Sequence, residues 1–435
     1  MSFNIWKKQR LGEITTKIGS GSTPRGGSGV YKKEGIPFIR SQNVYNCEFN
    51  PAGLVYIDDE QAEKLSNVEL EQDDVLLNIT GDSVARCTTV PQEYVGGRVN
   101  QHIAIIRTHD NMLDSQFLKY TLVNTQMQKY LLSLARNGGT RAALTKAMIE
   151  NLEISLPPLR NQKAIAKTLT FLDEKVEINN QINKKLEGMV QAIFKQWFVD
   201  FEFPNEVGMP YKSSGGTMVE SKLGMIPEGW KLKNINDVTS VLSKGTTPTK
   251  KDIDSAVDES SVKFIKVKDI AHNGTILLNG IECIPRSVHL GKLKRSILKE
   301  WDILFSIAGT IGRVAYIDAR LNDTNSNQAI AFIRLNDTKQ MFYYIYWLLK
   351  SEEIQNEIKT KVVQAVQANV SLESLKNTNF VLPSIDILNK YNIVVSSIFN
   401  RLRSLQNENE KLINIRDSLL PKLMSGEIRV PIEQD

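Results

Sequence analysis

The chain repeats itself over almost its whole length, and this repeat constrains its fold more than any other feature. Residues of the first half return 224 to 228 positions later, so the two copies differ by only small insertions. Solenoid repeats are far shorter, about 20 to 50 residues. The period therefore indicates two copies of a whole domain with its helix, which suits a bipartite target. The matching pairs include Trp6 and Trp230, Thr23 and Thr247, Phe38 and Phe264, Asp74 and Asp302, Asn100 and Asn327, Arg107 and Arg334, and Leu156 and Leu382.

The composition is that of an ordinary soluble protein. The 435 residues are 41% hydrophobic, with a mean hydropathy of −0.25. The most apolar run, residues 342–349, is too short to span a bilayer, and Lys7, Lys8 and Arg10 interrupt the N-terminus early. Three widely spaced cysteines fit a reducing compartment. We expect a cytoplasmic protein without a membrane segment. Its net charge of +5 is compatible with nucleic acid binding but does not require it.

Each copy is predicted to be a mixed, strand-rich domain followed by a long helix, which makes the fold class α+β. Residues 75–79 and 103–106 have the pattern of short strands. Thr145 and Ser371 are predicted to cap short helices at equivalent places in the two copies. The predicted order is a first domain at 1–158, a central spacer helix at 159–203, a polar linker at 204–224, a second domain at 225–384, a C-terminal spacer helix at 385–426 and a tail at 427–435.

The two long helices carry a coiled-coil pattern. Their apolar residues follow a four-three spacing, which keeps one seam facing a partner helix. Asn183 and Asn409 lie in this seam, where an amide fixes register and pairing at some cost in stability. We predict that the helices pack on each other; packing of each on its own domain is the alternative. The seam residues are Leu172, Val176, Asn179, Asn183, Leu186, Val190, Ile193 and Trp197 in the first helix, and Ile398, Leu402, Leu405, Asn409, Leu412, Arg416, Leu419 and Leu423 in the second.

The sequence lacks the motifs of common catalytic centres. It has no glycine-rich phosphate loop ending in Gly-Lys-Ser/Thr, and no Asn-Pro-Pro-aromatic run of the kind found in base methyltransferases. Its four histidines have no spacing typical of a metal site. The paired acids Asp58-Asp59 and Asp73-Asp74 are interpreted as solvated turn residues. We therefore predict a binding protein that is not an enzyme and uses no metal or cofactor.

Several segments of the chain resemble the specificity subunits of type I restriction–modification systems. In the first copy these are Ser20-Gly-Ser-Thr-Pro24, Gly35-Ile-Pro-Phe38 and Asp74-Val-Leu-Leu-Asn-Ile-Thr-Gly81. The most specific is Leu156-Pro-Pro-Leu-Arg-Asn-Gln-Lys-Ala-Ile165, which is similar to the family's lead into its conserved helix. The second copy departs from this motif, with Leu382-Pro-Ser-Ile-Asp-Ile-Leu-Asn389 in its place.

The resemblance implies a non-catalytic subunit that reads double-stranded DNA. Each strand-rich domain would be a target-recognition domain for one half of a split, asymmetric sequence. The helices would form an antiparallel coiled coil that sets the gap between the halves and docks the modification subunits, two in number. Those subunits would methylate adenine with S-adenosylmethionine, and a restriction subunit would add ATP-dependent translocation and cleavage.

Candidate DNA-reading residues are those whose side chains match base edges and lie on predicted loops. Arg and Lys suit guanine, Asn and Gln suit adenine, and hydroxyls suit either. A solvated surface position is the alternative for each of them. The candidates are Ser20, Ser22, Thr23, Arg25, Arg40, Ser41, Gln42, Asn43, Arg86 and Arg141 in the first copy, and Lys244, Thr246, Thr247, Thr249, Lys250, Lys266, Lys268, Arg313, Gln364 and Gln367 in the second.

Two dipeptides are interpreted differently because they occur in both copies. Asn100-Gln101 and Asn327-Gln328 are identical, although the copies should read different sequences. A shared residue is better suited to bracing a turn or holding a phosphate than to specifying a base. Positions that differ, such as Gln42 against Lys268, are the better specificity candidates.

Two other functions stay open from the sequence. The chain could be an adaptor that joins proteins through its helices without reading DNA. It could also belong to a related system in which a modifying activity is fused to the specificity subunit, although the missing methylation motif and the length argue against this. Binding to random duplex that weakens steeply with salt would separate a DNA reader from an adaptor.

Overall fold

The chain folds into two units, each containing one copy of the repeat and parts of both long helices. In the computed structural model the first unit comprises residues 1–180 and 407–435, and the second comprises residues 181–406. The structure describes residues 6–136, 142–256, 260–363 and 369–431. The boundaries between the units lie within both long helices. They differ from the domain ranges expected from the sequence, which stay a prediction.

A four-stranded antiparallel sheet forms the centre of the first copy. Its strands alternate between two hydrophobic clusters, because successive side chains of a strand point to opposite faces. Val75 and Leu77 face one cluster, while Leu76 and Ile105 face the other. The strand order is Thr15–Ser20, Ile103–Thr108, Val75–Asn78 and Cys87–Thr89.

The second copy repeats this topology strand for strand, which confirms the duplication and the mixed α+β class. Its sheet has the order Thr239–Lys244, Ile330–Leu335, Ile303–Ser306 and Val314–Tyr316. Each copy also contains a short parallel pairing. Phe38 and Ile39 pair with Arg98 and Val99 in the first copy, and Phe264 and Ile265 pair with Asn325 and Ser326 in the second.

The remaining elements frame these sheets. Thr145 and Ser371 accept hydrogen bonds from the backbone of the short helices that they precede, as predicted. The other strands are Lys7–Arg10, Ile36–Ile39, Val44–Tyr45, Glu48–Phe49, Val55–Ile57, Arg98–Val99, Glu153–Leu156, Met218–Ser221, Gly224–Pro227, Lys231–Asn234, Ser261–Ile265, Cys283–Pro285, Asn325–Ser326 and Asn379–Leu382. The shorter α-helices are Asp59–Lys64, Ser115–Val123, Thr125–Arg136, Lys146–Glu150, Lys250–Asp254, Arg286–Leu290, Thr338–Lys350, Glu352–Val363 and Leu372–Lys376.

A buried ion pair recurs at the same place in both sheets. Arg107 donates to both carboxylate oxygens of Asp74 at 2.8 Å, and Arg334 donates to Asp302 at 2.8 and 2.6 Å. The Asp74 side chain is fully buried, so its interpretation as a solvated turn residue was wrong. The carboxylate also accepts the backbone N–H of Glu71, which explains its burial: it closes the turn before the strand.

The two long helices span Leu159–Phe194 and Ile385–Ser425. The second begins at the repeat-equivalent position despite its altered motif, and the first continues into a π-helical turn at Lys195–Val199. In the first unit Asp173 pairs with Arg416 at 2.7 Å, and Asn179 with Asn409 at 2.8 Å. Numbers rise along one helix as they fall along the other, so the pairing is antiparallel. All sixteen predicted seam residues are buried or half-buried.

One of the two predicted seam asparagines, Asn409, forms cross-helix hydrogen bonds in the first unit. Asn409 accepts from Asn179 and donates to Asn180, each at 2.8 Å. Asn183 is also buried, but its side-chain oxygen has no hydrogen-bond partner in the structure. The register of the antiparallel pairing explains this result, because Asn409 faces Asn179, which lies about one helical turn before Asn183. The register contact is therefore Asn179 with Asn409.

The predicted polar linker at 204–224 contains ordered structure. Met218–Ser221 pairs with Gly224–Pro227 in an antiparallel hairpin. Tyr211 stacks on Phe203 at 4.5 Å between ring centroids, and Phe203 stacks on Trp230 at 5.0 Å. These aromatic side chains bury enough apolar surface to order a segment whose composition is polar.

We predict that Asp74→Asn lowers the free energy of unfolding by about 3 kcal/mol, because the half-buried guanidinium of Arg107 loses its buried counter-charge and keeps only the exposed Glu71. Urea denaturation measures the change. The control is Glu60→Gln, which removes an exposed ion pair with Lys64 and should cost less than about 1 kcal/mol. Equal losses in the two variants would contradict the assignment of a structural role to the buried pair.

Candidate nucleic-acid interface

Three loops meet at the end of the parallel strand pairing in each copy. In the first copy the N–H of Ser22 donates to the carbonyl of Val99 at 3.0 Å, and the N–H of Asn100 donates to the carbonyl of Ile39 at 3.0 Å. In the second copy Thr246 donates to Ser326 at 3.0 Å, and Asn327 donates to Ile265 at 3.1 Å. The segment containing Asn100 or Asn327 therefore joins the Ser/Thr-rich loop to the turn that follows the parallel strand. The candidates of two separate loops come together through backbone hydrogen bonds.

This junction leaves no room for a side chain at one position. A Cβ atom added to Gly21 would lie 2.1 Å from the carbonyl oxygen of Val99, and one added to Gly245 would lie 2.0 Å from that of Ser326. Both distances are far below van der Waals contact. Glycine is required in both copies because the chain passes directly against the carbonyl of the neighbouring strand.

Side chains reinforce the junction in the same way in each copy. The hydroxyl of Thr23 donates to Gln101, and that of Thr247 donates to Gln328. Asn100 is buried and accepts the backbone N–H of His102 at 3.1 Å. These contacts support the structural interpretation of both glutamines and of Asn100, whereas the buried side-chain oxygen of Asn327 has no hydrogen-bond partner among the described residues.

In the first copy, residues 40–43 form what we call the first turn. Arg40 donates to the carbonyl of Gly53 at 2.5 Å and lies over the ring of Tyr31 at 5.5 Å, and Gln42 approaches the same carbonyl at 3.4 Å. Asn43 is fully buried, accepts the N–H of Arg40 and donates to two carbonyls of the loop 50–52. The polar atoms of Asn43 therefore close the turn, and its assignment as a DNA reader stays a prediction.

The second turn, residues 266–269, has the same shape and different charged residues: two lysines and an aspartate. Asp269 takes the place of Asn43 and accepts the N–H of Lys266 at 2.8 Å. Lys266 and Lys268 both donate to Glu282, at 2.6 and 2.9 Å. The hydrogen bond from Lys266, and then that from Lys268, lowers the pKa of Glu282 to about 2.

The two arginines next to these turns have different environments. Arg86 lies over the ring of Tyr45 at 4.5 Å and is half-exposed. Arg313 donates to the carbonyls of Val267 and Ile270. In the first copy Asn78 donates to the two equivalent carbonyls, those of Ser41 and Val44. Arg313 therefore takes the place of Asn78 as the donor to these carbonyls, and its assignment as a DNA reader stays a prediction.

The other candidates divide by exposure. Arg25 is exposed beside a cleft of about 450 Å³ that Ser22, Thr23 and Lys64 also line. Thr249 caps the short helix that begins at Lys250 by accepting from Asp252. Ser20, Lys244, Thr246, Thr247 and Lys250 are exposed, and Ser41 is half-buried. Arg141, Gln364 and Gln367 lie outside the described residues.

Within the described residues, no group of three or more His, Cys, Asp or Glu side chains is placed to hold a metal ion. In the same residues, no helix has the length and apolarity needed to cross a membrane.

The family described as "Type I restriction modification DNA specificity domain" matches residues 4–188 and 227–416, once for each copy. The chain belongs to this family. Two matches over most of the chain account for the internal repeat.

Individual relatives are similar over their full length. The type I restriction enzyme MjaIX specificity subunit of Methanocaldococcus jannaschii is 25% identical over 98% of this chain and 94% of its own. The HindI specificity subunit of Haemophilus influenzae is 24% identical over 97% of this chain and 99% of its own. The crystal structure of an S subunit from M. genitalium matches 97% of each chain at 15% identity, with a TM-score of 0.51, which shows the shared fold.

Sequence reasoning missed the two acceptors that face the turns. Gly53 follows Pro51-Ala52, a turn composition that gave a partial signal. No feature of the sequence indicated the role of Glu282. It reaches the lysines because the strand Cys283–Pro285 pairs antiparallel with Ser261–Ile265. A pairing between distant segments of this kind has no local sequence signature.

We predict that Gly21→Ala lowers the free energy of unfolding by about 1–3 kcal/mol, because the methyl group forces the junction apart. Thermal and urea unfolding measure the effect. The control is Gly19→Ala, two residues earlier, where an added Cβ meets nothing within 4 Å. That variant should be neutral or slightly more stable. A well-tolerated Gly21→Ala would show that the close approach is not a constraint.

Proposed function

We propose that this chain is the DNA sequence-specificity subunit of a type I restriction–modification complex. Each copy reads one half of a bipartite, asymmetric site in double-stranded DNA, and chemistry is left to other subunits. Family membership and full-length similarity to proteins named as specificity subunits support this proposal.

The main observation behind the proposal is that the two copies share the same backbone junction but carry different side chains on the turns next to it. Both copies build the same junction with the same glycine and the same Thr–Gln contact. The turns beside the junction differ: Arg40 and Gln42 in one, Lys266 and Lys268 in the other. This is what two readers of different sequences need, because backbone geometry sets the register of a loop and side chains select the bases.

The long helices set the gap between the half-sites and dock the partners in this proposal. Their antiparallel pairing is fixed by a buried amide contact and a partly buried ion pair, which together resist sliding. The partners are two modification subunits, which methylate adenine with S-adenosylmethionine, and a restriction subunit with ATP-dependent translocase and nuclease activity. The complex acts in the cytoplasm, where its DNA is found.

The assignment of one half-site to each copy can be tested by substitution. Arg40→Ala should relax or weaken recognition of one half-site, and Lys266→Ala should affect the other. A true base contact costs about 1–3 kcal/mol at one base position, whereas a phosphate contact weakens all sequences alike. Methylated adenines are mapped in a host that expresses the chain with its modification subunits.

Lys33→Ala provides the control, since Lys33 is an exposed lysine of the first copy outside the turn. It should leave both half-sites unchanged. If Arg40→Ala altered both half-sites equally, the assignment of one copy to one half would be wrong. If the affinity of the purified native chain for random duplex did not fall as the salt concentration rises, the adaptor alternative would be favoured.

A second test changes the length of the helix pair. Seven residues of matching heptad pattern are inserted after Asn180 and after Asn407, which lie close to the Asn180–Asn409 contact. One heptad adds about 10 Å at about 1.5 Å per residue, and DNA advances about 3.4 Å per base pair. The gap between half-sites should therefore lengthen by about three base pairs, while both half-sites stay the same.

The control is the same insertion in one helix only, which leaves the seams unequal and should abolish methylation. Intact methylation with the original gap in the doubly lengthened chain would mean that the helices do not set the spacing. Loss of one half-site alone would mean that they shape recognition itself.

A further inference from the structure

One acidic side chain faces the basic turn of the second copy. Glu282 accepts from Lys266 at 2.6 Å and from Lys268 at 2.9 Å. The side chain of Glu282 is 51% exposed, that of Lys266 is 31% exposed and that of Lys268 is 60% exposed, so the cluster lies at the surface. Because solvent screens exposed ion pairs, they contribute little to stability and can be exchanged for other partners.

The first copy shows what this carboxylate replaces. Arg40 and Gln42 occupy the positions equivalent to Lys266 and Lys268, and they share the carbonyl of Gly53 as acceptor. Among the groups that meet there, only Arg40 is charged. At the second turn the two ammonium groups of Lys266 and Lys268 meet the carboxylate of Glu282, which lies outside the turn.

The carboxylate has a consequence for binding to DNA backbone. Two lysines on one turn would bind phosphates of any sequence, since phosphate contacts carry no sequence information. A neighbouring carboxylate repels those phosphates and holds the lysines by hydrogen bonds. A guanine edge instead offers neutral acceptors, O6 and N7, that a lysine can reach without bringing a phosphate against the carboxylate.

We propose that Glu282 is a specificity-determining residue of the second copy, which restrains Lys266 and Lys268 from phosphates of non-cognate DNA and releases them to acceptor-bearing base edges. This inference rests on the proposed function. It assigns to an acidic residue a part in the discrimination of DNA sequences, through its two lysine partners.

The test measures binding of the purified full chain to a random-sequence duplex as a function of salt. In Glu282→Gln both lysines become available to phosphates, and each added phosphate contact steepens the salt slope by about 0.9. Affinity for random duplex should rise at low salt. Between 50 and 200 mM salt it should then fall by up to about tenfold more than in the native chain. Glu282→Ala should give the same result, and unfolding curves confirm that the variants are folded.

Two controls separate this effect from a general change in charge. Glu300→Gln removes an exposed carboxylate of the same unit and should keep the native slope. Adding Glu282→Gln to a chain that already carries Lys266→Ala and Lys268→Ala should also leave the salt slope unchanged, because the two ammonium groups that Glu282 restrains are absent.

A native slope in Glu282→Gln overturns the inference and leaves the proposed function intact. An equal change in the lysine-free background also overturns it, since the effect would not pass through the lysines. If the native chain shows no binding to duplex DNA at any salt concentration, both the inference and the proposed function fail.

Discussion

The approach of a glycine to a strand carbonyl, at Gly21 and again at Gly245, is the constraint on which the candidate interface depends. Any side chain there would collide with Val99 or Ser326. The close approach allows the next residue to donate its N–H to the same carbonyl. The Ser/Thr-rich loop is thereby fastened to the segment that also holds the turn after the parallel strand. The position of the candidate reading loops is thus set by backbone atoms, and it does not depend on which side chains the loops carry.

This division between backbone and side chain explains how two copies can stay alike in shape and differ in chemistry. The carbonyls of the turn are satisfied by Asn78 in the first copy and by Arg313 in the second. The acceptor facing the turn is the backbone of Gly53 in one and the carboxylate of Glu282 in the other. Buried groups must be hydrogen-bonded, but different residues can satisfy the same requirement. A scaffold built this way tolerates different side chains at the candidate DNA-reading positions.

The sequence predicted the features that have a period or a local chemical signature. The duplication, the helix seams and the caps Thr145 and Ser371 follow from spacing and from short-range hydrogen bonding. The interpretation of Asp74 as solvated was wrong, and the fold gives two other residues internal partners that the sequence did not indicate. Asp74, Asn43 and Arg313 were interpreted by residue type, and each proved to be committed to a partner or carbonyl that only the folded chain brings near. Glu282 was missed for the same reason, because its role arises from pairing between two distant strands.

The central claim is that the two copies read two separated half-sites. The most direct measurement is selection of bound molecules from a random duplex library by the purified full chain, followed by sequencing. The account predicts a motif of two unlike half-sites with a gap of constant length and free sequence. A single continuous motif would contradict the division of reading between the copies. Recovery of DNA with no sequence preference would contradict the assignment of specificity to this chain.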